Sequence, residues 1–141
     1  MREMSLKDFP LQTYDKIRYG DTDRQGHVNN AKFATFFETG RVEILYSTEN
    51  VILDENSSFV AASVKITFLK VITWPGTVEI GTGIIKTGNS SIHLYQQLFQ
   101  NGQCVAEAES VSVQVLDKTR KSHPLTSNAK RTLQKLILVK Q

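Results

Sequence analysis

The chain has 141 residues, a formal net charge of +3, and a composition that is 40% hydrophobic and 22% charged. This balance is that of an ordinary globular protein and excludes extended disorder, and the length predicts a single domain over residues 1–141. One cysteine excludes an internal disulfide and a multi-thiolate metal centre. The three histidines, His27, His93 and His123, have no ligand-type spacing. A metal site is therefore not expected.

The basic charge does not predict a nucleic-acid partner. The sequence pI is about 9.0, and the basic excess gathers between Lys118 and Lys140. Neither an aromatic stripe nor a groove-reading motif accompanies it, so no nucleic-acid partner is expected. The N-terminus has no apolar stretch of signal-peptide length, and apolar runs elsewhere are short. We therefore expect a cytoplasmic protein without membrane contact.

The first third of the chain reads as strand, polar loop and helix. Residues Gln12 to Tyr19 alternate loosely and end at a glycine, which predicts a first strand. The polar loop 20–30 follows and ends in Asn29-Asn30, a good helix N-cap. From Ala31 the apolar residues recur at helical spacing. The predicted buried positions of this helix are Phe33, Phe36, Phe37, Gly40 and Ile44, with Val42 and Leu45 widening the apolar surface.

The rest of the chain is rich in strand signals. The predicted strands are Phe59 to Thr73, Thr77 to Lys86, Ser91 to Gln100 and Gln103 to Leu116, and a short helix is predicted within Ser127 to Val139. Gly88-Asn89 and Asn101-Gly102 mark tight turns, so the later strands should be antiparallel neighbours. The order predicts an α+β domain in which one curled antiparallel sheet of about five strands wraps a central helix. Phe68, Trp74 and Tyr95 make a partner on the other side of the sheet plausible.

The loop carries the chemical signal. Residues 19–30 read YGDTDRQGHVNN, and the pattern continues into the helix through Phe33, Phe37, Glu38 and Arg41. This segment closely resembles the signature of hotdog-fold acyl-CoA thioesterases of the 4-hydroxybenzoyl-CoA thioesterase-like family. In looser form the resemblance covers most of the chain, because Trp74-Pro75-Gly76 also falls where such proteins place a turn. It implies a hotdog fold and a hydrolase that needs no metal or redox cofactor.

The resemblance also implies roles for individual residues. Asp23 would be the catalytic carboxylate, as nucleophile or as general base for water, with Asn30 supplying the oxyanion-hole N–H. His27 would assist, and Gln25 stands where some relatives have Asn. Gly26 and Val28 would shape the approach of the substrate, and Phe37 and Ser91 would contact it. General physical principles support an oxyanion hole at the helix start, because the free N–H groups and the positive end of the helix dipole favour a developing oxyanion there.

Plainer interpretations stand beside these roles. Asp21 and Asp23 could both be loop carboxylates that bind local N–H groups. Asn29 and Asn30 are most economically a loop anchor and a helix cap, and Glu38 and Arg41 are spaced for a helix-surface ion pair. Ser90 and Ser91 are turn formers first. Cys104 shows no sign of activation and is predicted to serve packing.

The leading hypothesis is therefore hydrolysis of acyl-CoA to a free carboxylic acid and CoA, by a homodimer or homotetramer with sites at the dimer interface. Lys70, Lys86 and Arg120 are candidates for the CoA phosphates. Two alternatives remain: an acyl-carrier-protein thioesterase, and a hotdog protein that binds or senses acyl-CoA without cleaving it. Only hydrolysis needs a carboxylate beside helix-start donors.

Overall fold

Five antiparallel strands wrap one long helix in the computed structural model, which describes residues 3–138. In chain order the elements are β1 (Leu11–Lys16), α1 (Asn30–Leu45), β2 (Ser57–Phe68), β3 (Thr77–Thr87), β4 (Ser91–Gln100), β5 (Gln103–Leu116) and α2 (Ser127–Gln134). The order across the sheet is β1-β3-β4-β5-β2, and every neighbouring pair is antiparallel. The predicted α+β hotdog architecture is confirmed, including the short C-terminal helix.

The helix α1 is buried through the residues that its periodicity predicts. Phe33, Phe36 and Phe37 lie in one core cluster with Ile80 and Leu98 of the sheet. Gly40, Ile44 and Leu45 are buried as well. The expectation for Val42 is wrong: its side chain is exposed, because it lies on the face of α1 turned away from the sheet.

A close approach of α1 to the sheet depends on Gly40. A Cβ at this position would lie 2.7 Å from Gln96 Nε2, Ile80 Cγ2 and Thr82 Oγ1. Gln96 Nε2 donates to the backbone oxygen of Phe37 (2.9 Å) and to Thr82 Oγ1 (2.9 Å). Gln96 of β4 thus joins the helix to the sheet by buried hydrogen bonds. These bonds can form only because residue 40 has no side chain.

Two predicted strands end earlier than their apolar patterns suggest. The segment 69–73 continues the pattern of β2, yet it leaves the sheet after Phe68: Leu69 and Lys70 both donate their N–H to the oxygen of Val105 (3.0 Å each). Likewise β1 ends at Lys16, and Tyr19 to Asp21 form a 3₁₀ turn. Both segments, 69–73 and 19–21, leave the sheet near the start of α1. There their backbone oxygens accept hydrogen bonds from the polar loop, as Ile72 does from Val28 and Asp21 from Asn29.

The outer face of the sheet carries a second, small core that the sequence did not reveal. The N-terminal segment, with a 3₁₀ turn at Leu6–Asp8, lays Phe9 on this face. Tyr95, predicted as a partner contact, is instead only 1% exposed and stacks with Phe9 at a ring distance of 6.1 Å. A Cβ on Gly81 would lie 2.5 Å from the Phe9 ring, so glycine makes the room. Phe68 and Trp74, by contrast, are exposed. The expected face is wrong for Phe68, however, because its ring meets Phe33 of α1 on the helix side of the sheet.

The C-terminal helix closes the far end of the core. Ala129 and Leu133 of α2 are buried in a cluster with Ile44, Ile84 and Ile92. Thr126 Oγ1 caps α2 by accepting the N–H of Ala129 (3.0 Å). The predicted end at Val139 lies outside the described residues. None of the helices in residues 3–138 combines the length and apolar character needed to cross a lipid bilayer.

Substituting Gly40→Ala should lower the free energy of unfolding by about 1–3 kcal/mol, the usual range for overpacking a tight contact. This outcome runs against helix propensity, which favours alanine by about 1 kcal/mol. Urea denaturation followed by circular dichroism measures the change.

The matched control is Gly20→Ala, because a Cβ at Gly20 meets nothing within 4 Å. This variant should stay within about 0.5 kcal/mol of wild type. Equal stability of the two variants would show that α1 does not depend on the glycine contact.

Candidate active site

The loop between Asp23 and His27 is a closed turn. The N–H of Asp23 donates to the oxygen of His27 (2.8 Å), and the N–H of Gly26 donates to the oxygen of Asp23 (3.0 Å). Gly26 has φ +81°, a left-handed conformation that glycine adopts at little cost. The turn therefore brings Asp23 and His27 together at the base of the loop.

The carboxylate of Asp23 is fixed by backbone donors and remains accessible. Its Oδ1 accepts the N–H of Gln25 (2.9 Å) and that of His27 at a longer 3.4 Å. Within residues 3–138, no hydrogen bond reaches Asp23 Oδ2. The side chain is exposed. One carboxylate oxygen is thus anchored, and the other has no hydrogen-bond partner among residues 3–138.

Asp21 is a structural loop carboxylate that binds a local N–H group. It is buried, and its Oδ2 accepts the N–H of Arg18 (2.8 Å). Its backbone oxygen accepts the N–H of Asn29 (2.8 Å). Asp21 therefore ties the end of β1 to the start of α1 and is not available to a ligand.

The loop is docked on the segment that leaves β2. Val28 donates its N–H to the oxygen of Ile72 (2.9 Å), and His27 pairs with Thr73. Thr73 is held in turn by Gln100, whose Oε1 accepts the Thr73 N–H (3.0 Å) and whose Nε2 donates to the Thr73 oxygen (2.8 Å). Sequence analysis missed Gln100. A buried glutamine at the end of an apolar strand was the available signal.

The start of α1 keeps one free donor. Asn29 is the N-cap: its Oδ1 accepts the N–H of Ala31 (2.9 Å) and its backbone oxygen accepts that of Lys32 (2.8 Å). In the part of the chain that is described, no hydrogen bond is made by the N–H of Asn30. Because the first N–H groups of a helix have no partner inside it, this one is open to a ligand.

These groups share one groove with a volume of about 470 Å³. Of the predicted site residues, it brings together Asp23, Gln25, His27, Val28 and Asn30. We call it the loop groove.

The opposite wall of the loop groove is apolar except for one cation. It consists of Phe33 at the first turns of α1 and of Phe68, Leu69, Lys70 and Val71. The rings of Phe33 and Phe68 meet edge to face with centroids 5.1 Å apart. The groove therefore joins a carboxylate, a free helix-start N–H and an apolar wall.

The structure does not bring every predicted site residue to this groove. Gly26 shapes the loop without lining the groove, and Phe37 is fully buried beneath it. Ser91 begins β4, whereas Gln100 at the other end of that strand contacts Thr73, which pairs with His27 of the loop. The two residues are nine positions apart along the strand, a distance of about 30 Å. This chain's own Ser91 is therefore distant from Asp23.

The charged candidates also separate. Lys70 lines the loop groove, whereas Lys86 pairs with His93 near the far end of β3.

No ion pair joins Glu38 to Arg41 among the described residues. Arg41 is buried, which lowers its pKa by desolvation, and the charge of Glu38 partly offsets this. Within residues 3–138, no group of three or more His, Cys, Asp and Glu could hold a metal ion.

The fold and the loop groove define a class, the hotdog domains with a carboxylate-bearing loop before the central helix. The chain belongs to the thioesterase-like superfamily, whose model matches residues 17–133. It is a thioester hydrolase.

Solved structures agree with this assignment. A Pseudomonas aeruginosa protein shares the fold at 22% identity with a TM-score of 0.86, covering 97% of this chain and 98% of that one. A predicted thioesterase from Bacillus stearothermophilus is 26% identical with a TM-score of 0.78, covering 89% and 95%. A Thermus thermophilus thioesterase complexed with coenzyme A and zinc is 25% identical with a TM-score of 0.76, covering 89% and 98%. Among curated proteins, none matches this chain.

Removing the cap of α1 should destabilise the site locally. We expect Asn29→Ala to lower the free energy of unfolding by about 1 kcal/mol, because the Ala31 N–H loses its acceptor. Thermal or urea denaturation measures the loss.

Asn30→Ala is the matched control, since it removes a side chain one residue later and leaves the backbone N–H in place. We expect a change of a few tenths of a kcal/mol at most. A larger loss at Asn30 than at Asn29 would contradict the assignment of the cap.

Proposed function

We propose that the protein hydrolyses acyl-CoA thioesters to a free carboxylic acid and CoA, with Asp23 as the catalytic carboxylate. The observation that carries the proposal is the loop groove, in which an exposed carboxylate and the free N–H of Asn30 share one cavity. The Thermus thermophilus relative, a thioesterase complexed with coenzyme A, supports CoA as the carrier. Acyl-carrier protein is the alternative carrier.

Asp23 can act in two ways. As a general base, its free Oδ2 takes a proton from water while the water oxygen attacks the thioester carbonyl. The tetrahedral intermediate then expels the CoA thiolate, which receives a proton. As a nucleophile, Oδ2 attacks the carbonyl itself, CoA leaves as thiolate, and water hydrolyses the resulting mixed anhydride. Anchoring of Oδ1 by the Gln25 N–H suits both, because it holds the carboxylate in place and leaves Oδ2 without a partner among residues 3–138.

The attacked carbonyl becomes an oxyanion that needs donors. The N–H of Asn30 at the positive end of α1 can bind it, and one such donor is worth about 10²–10³ in rate. His27 supports Asp23 through its backbone N–H (3.4 Å), while its imidazole belongs to the loop groove and can orient water or the carbonyl. Gln25 likewise donates its backbone N–H to Asp23 and is one of the residues that line the loop groove.

The edge strand β2 is where we place a second copy of the chain. Register with Ser110 and Ala106 puts Val64 and Phe68 on the helix side of the sheet, yet they are 43% and 46% exposed. An apolar face on an unpaired edge strand is a template for another chain. A homodimer joined along β2 would cover this face, and two such dimers would give the homotetramer.

This dimer would complete the site. Phe68, Leu69 and Val71 line the loop groove and continue from the end of β2, so a partner docked on β2 would cover the apolar wall. A partner could also bring its own Ser91 to the groove that this chain's Ser91 does not reach. Lys70 in the groove wall is our candidate for a CoA phosphate.

Asp23→Asn should lower kcat for acyl-CoA hydrolysis at least about 100-fold, because the amide can neither attack nor accept the proton of water. Released thiol, measured with a panel of acyl-CoA substrates of different chain length and with aromatic acyl groups, reports the rate. Binding of acyl-CoA without turnover by the wild type would instead favour the non-hydrolytic binding protein.

The control for this variant is Asp21→Asn, which alters the neighbouring buried carboxylate. It should lower stability through the Arg18 contact and leave kcat of the folded enzyme within a few-fold of wild type. If Asp23→Asn keeps full turnover, Asp23 is not the catalytic carboxylate.

Val64→Glu should separate the dimer and reduce activity with it, because a charge on the apolar face of β2 opposes burial. Light scattering after size exclusion gives the oligomeric state. Val51→Glu is the control, as Val51 is 55% exposed and lies outside β2. A dimer that survives Val64→Glu would place the interface elsewhere.

A further inference from the structure

One flank of α1 carries a buried charge that has no partner. Arg41 is only 8% exposed, and its guanidinium makes no hydrogen bond or ion pair among residues 3–138. Only Nη1 is fully enclosed, so Nε and Nη2 keep accessible surface. A buried charge without a partner costs free energy. A carboxylate from outside this chain can therefore reach Arg41 and would stabilise it.

Arg41 lies on the flank of α1 that is turned toward the edge strand β2. On the other flank, Thr39 Oγ1 donates to Asp15 Oδ2 of β1 (3.2 Å). Positions 39 and 41 are about 200° apart around a helix, so Arg41 faces away from β1. Strand β2 is at the opposite edge of the sheet from β1. It is close to α1, because the rings of Phe33 and Phe68 are in contact.

The turn of α1 around Gly40 lies level with the middle of the exposed part of β2. Gly40 packs on Gln96 of β4. Gln96 pairs with Ala108 of β5, and Ala108 pairs with Ile66 of β2. Ile66 is the middle of the segment 64–68, whose apolar end residues are exposed. Arg41 is thus beside the centre of the surface on which we place a second copy.

The first residues of β2 are closed to a second strand. The hydroxyl of Tyr46, which follows α1, accepts the N–H of Phe59 (3.0 Å) and donates to the Phe59 oxygen (3.2 Å). Such groups on an edge strand are otherwise open to another chain. Pairing of β2 with its own copy is therefore restricted to the residues after Phe59. This moves the centre of a symmetric pair toward the segment 64–68.

Two-fold symmetry about this centre sets the α1 helices of the two copies antiparallel. In such an interface, if residue i contacts residue j of the partner, then j also contacts i. Glu38 is exposed and lies one turn before Arg41 on the same flank, yet it forms no ion pair with Arg41 of its own chain. Antiparallel helices place the turn that carries Glu38 in one copy opposite the turn that carries Arg41 in the other.

We propose that the partner subunit's Glu38 supplies the missing carboxylate to Arg41, so that two identical ion pairs cross the two-fold axis of the dimer. The flank is self-complementary, because each copy brings one carboxylate and one guanidinium. The exposed Ala34, one turn before Glu38, is small and lets the helices approach. The arrangement rests on the homodimer proposed along β2 and is independent of the catalytic role of Asp23.

Mixing two charge variants, Glu38→Lys and Arg41→Glu, tests the pairing. Each variant alone should dimerise at least about tenfold more weakly than wild type, because like charges then meet across the axis. In an equimolar mixture every cation meets a glutamate only in the heterodimer. Heterodimers should therefore make up about 90% of the dimers, against about half for random exchange. Native mass spectrometry, with a mass tag on one variant, measures the fraction.

The control mixture is Glu43→Lys with Lys32→Glu, which changes the same charges on the flank of α1 that faces β1. Both positions share that flank with Thr39 by helical spacing. Its heterodimer fraction should stay at about half. If Arg41→Glu fails to fold, Arg41→Gln replaces it, because a heterodimer with Glu38→Lys still restores one ion pair and removes the repulsion.

A heterodimer fraction of one half in both mixtures, with dimers intact, would overturn the pairing and leave the dimer along β2 in place. A monomeric wild type, or a dimer that survives Val64→Glu, would overturn the β2 dimer and the pairing together. A third contrary outcome is that Arg41→Gln keeps its dimer but loses turnover only for acyl-CoA with a terminal carboxyl group. This result would assign Arg41 to the substrate.

Discussion

The packing of α1 into the concave face of the sheet is the constraint on which the rest of the structure depends. Three phenylalanines of α1 fill the core, and Gly40 lets the helix come close enough for Gln96 to bind the Phe37 oxygen. This contact fixes where α1 begins. Since the loop before it is short and the sheet end is near, the position of Asp23 follows from the position of the helix.

The site is built mainly from backbone groups, and this explains how an exposed loop can be well defined. Asp23 is held by loop N–H groups, Asn29 caps the helix, and Val28 and His27 dock on Ile72 and Thr73. Gln100 then fixes Thr73 from the sheet. These contacts fix the carboxylate of Asp23 and the start of α1 relative to each other, so the geometry of the loop groove does not depend on a ligand.

The two faces of the sheet divide the work. The inner face carries the helix and, at the edge strand β2, the exposed apolar residues Val64 and Phe68, where we place a second chain. The outer face is covered in part by the N-terminal segment, which packs Phe9 on Tyr95.

The sequence by itself determined the fold class, the buried face of α1 and the loop with Asp23, because these are written in local periodicity, turn residues and one specific motif. The catalytic role of Asp23, implied by the family resemblance, stays a prediction. Only the tertiary structure decided that 69–73 leaves the sheet, that Tyr95 is buried under Phe9, and that Ser91 and Phe37 stay outside the loop groove. These outcomes depend on contacts between distant segments. An apolar segment such as 69–73 has the same sequence pattern whether it forms part of a β-strand or serves as the support of a loop.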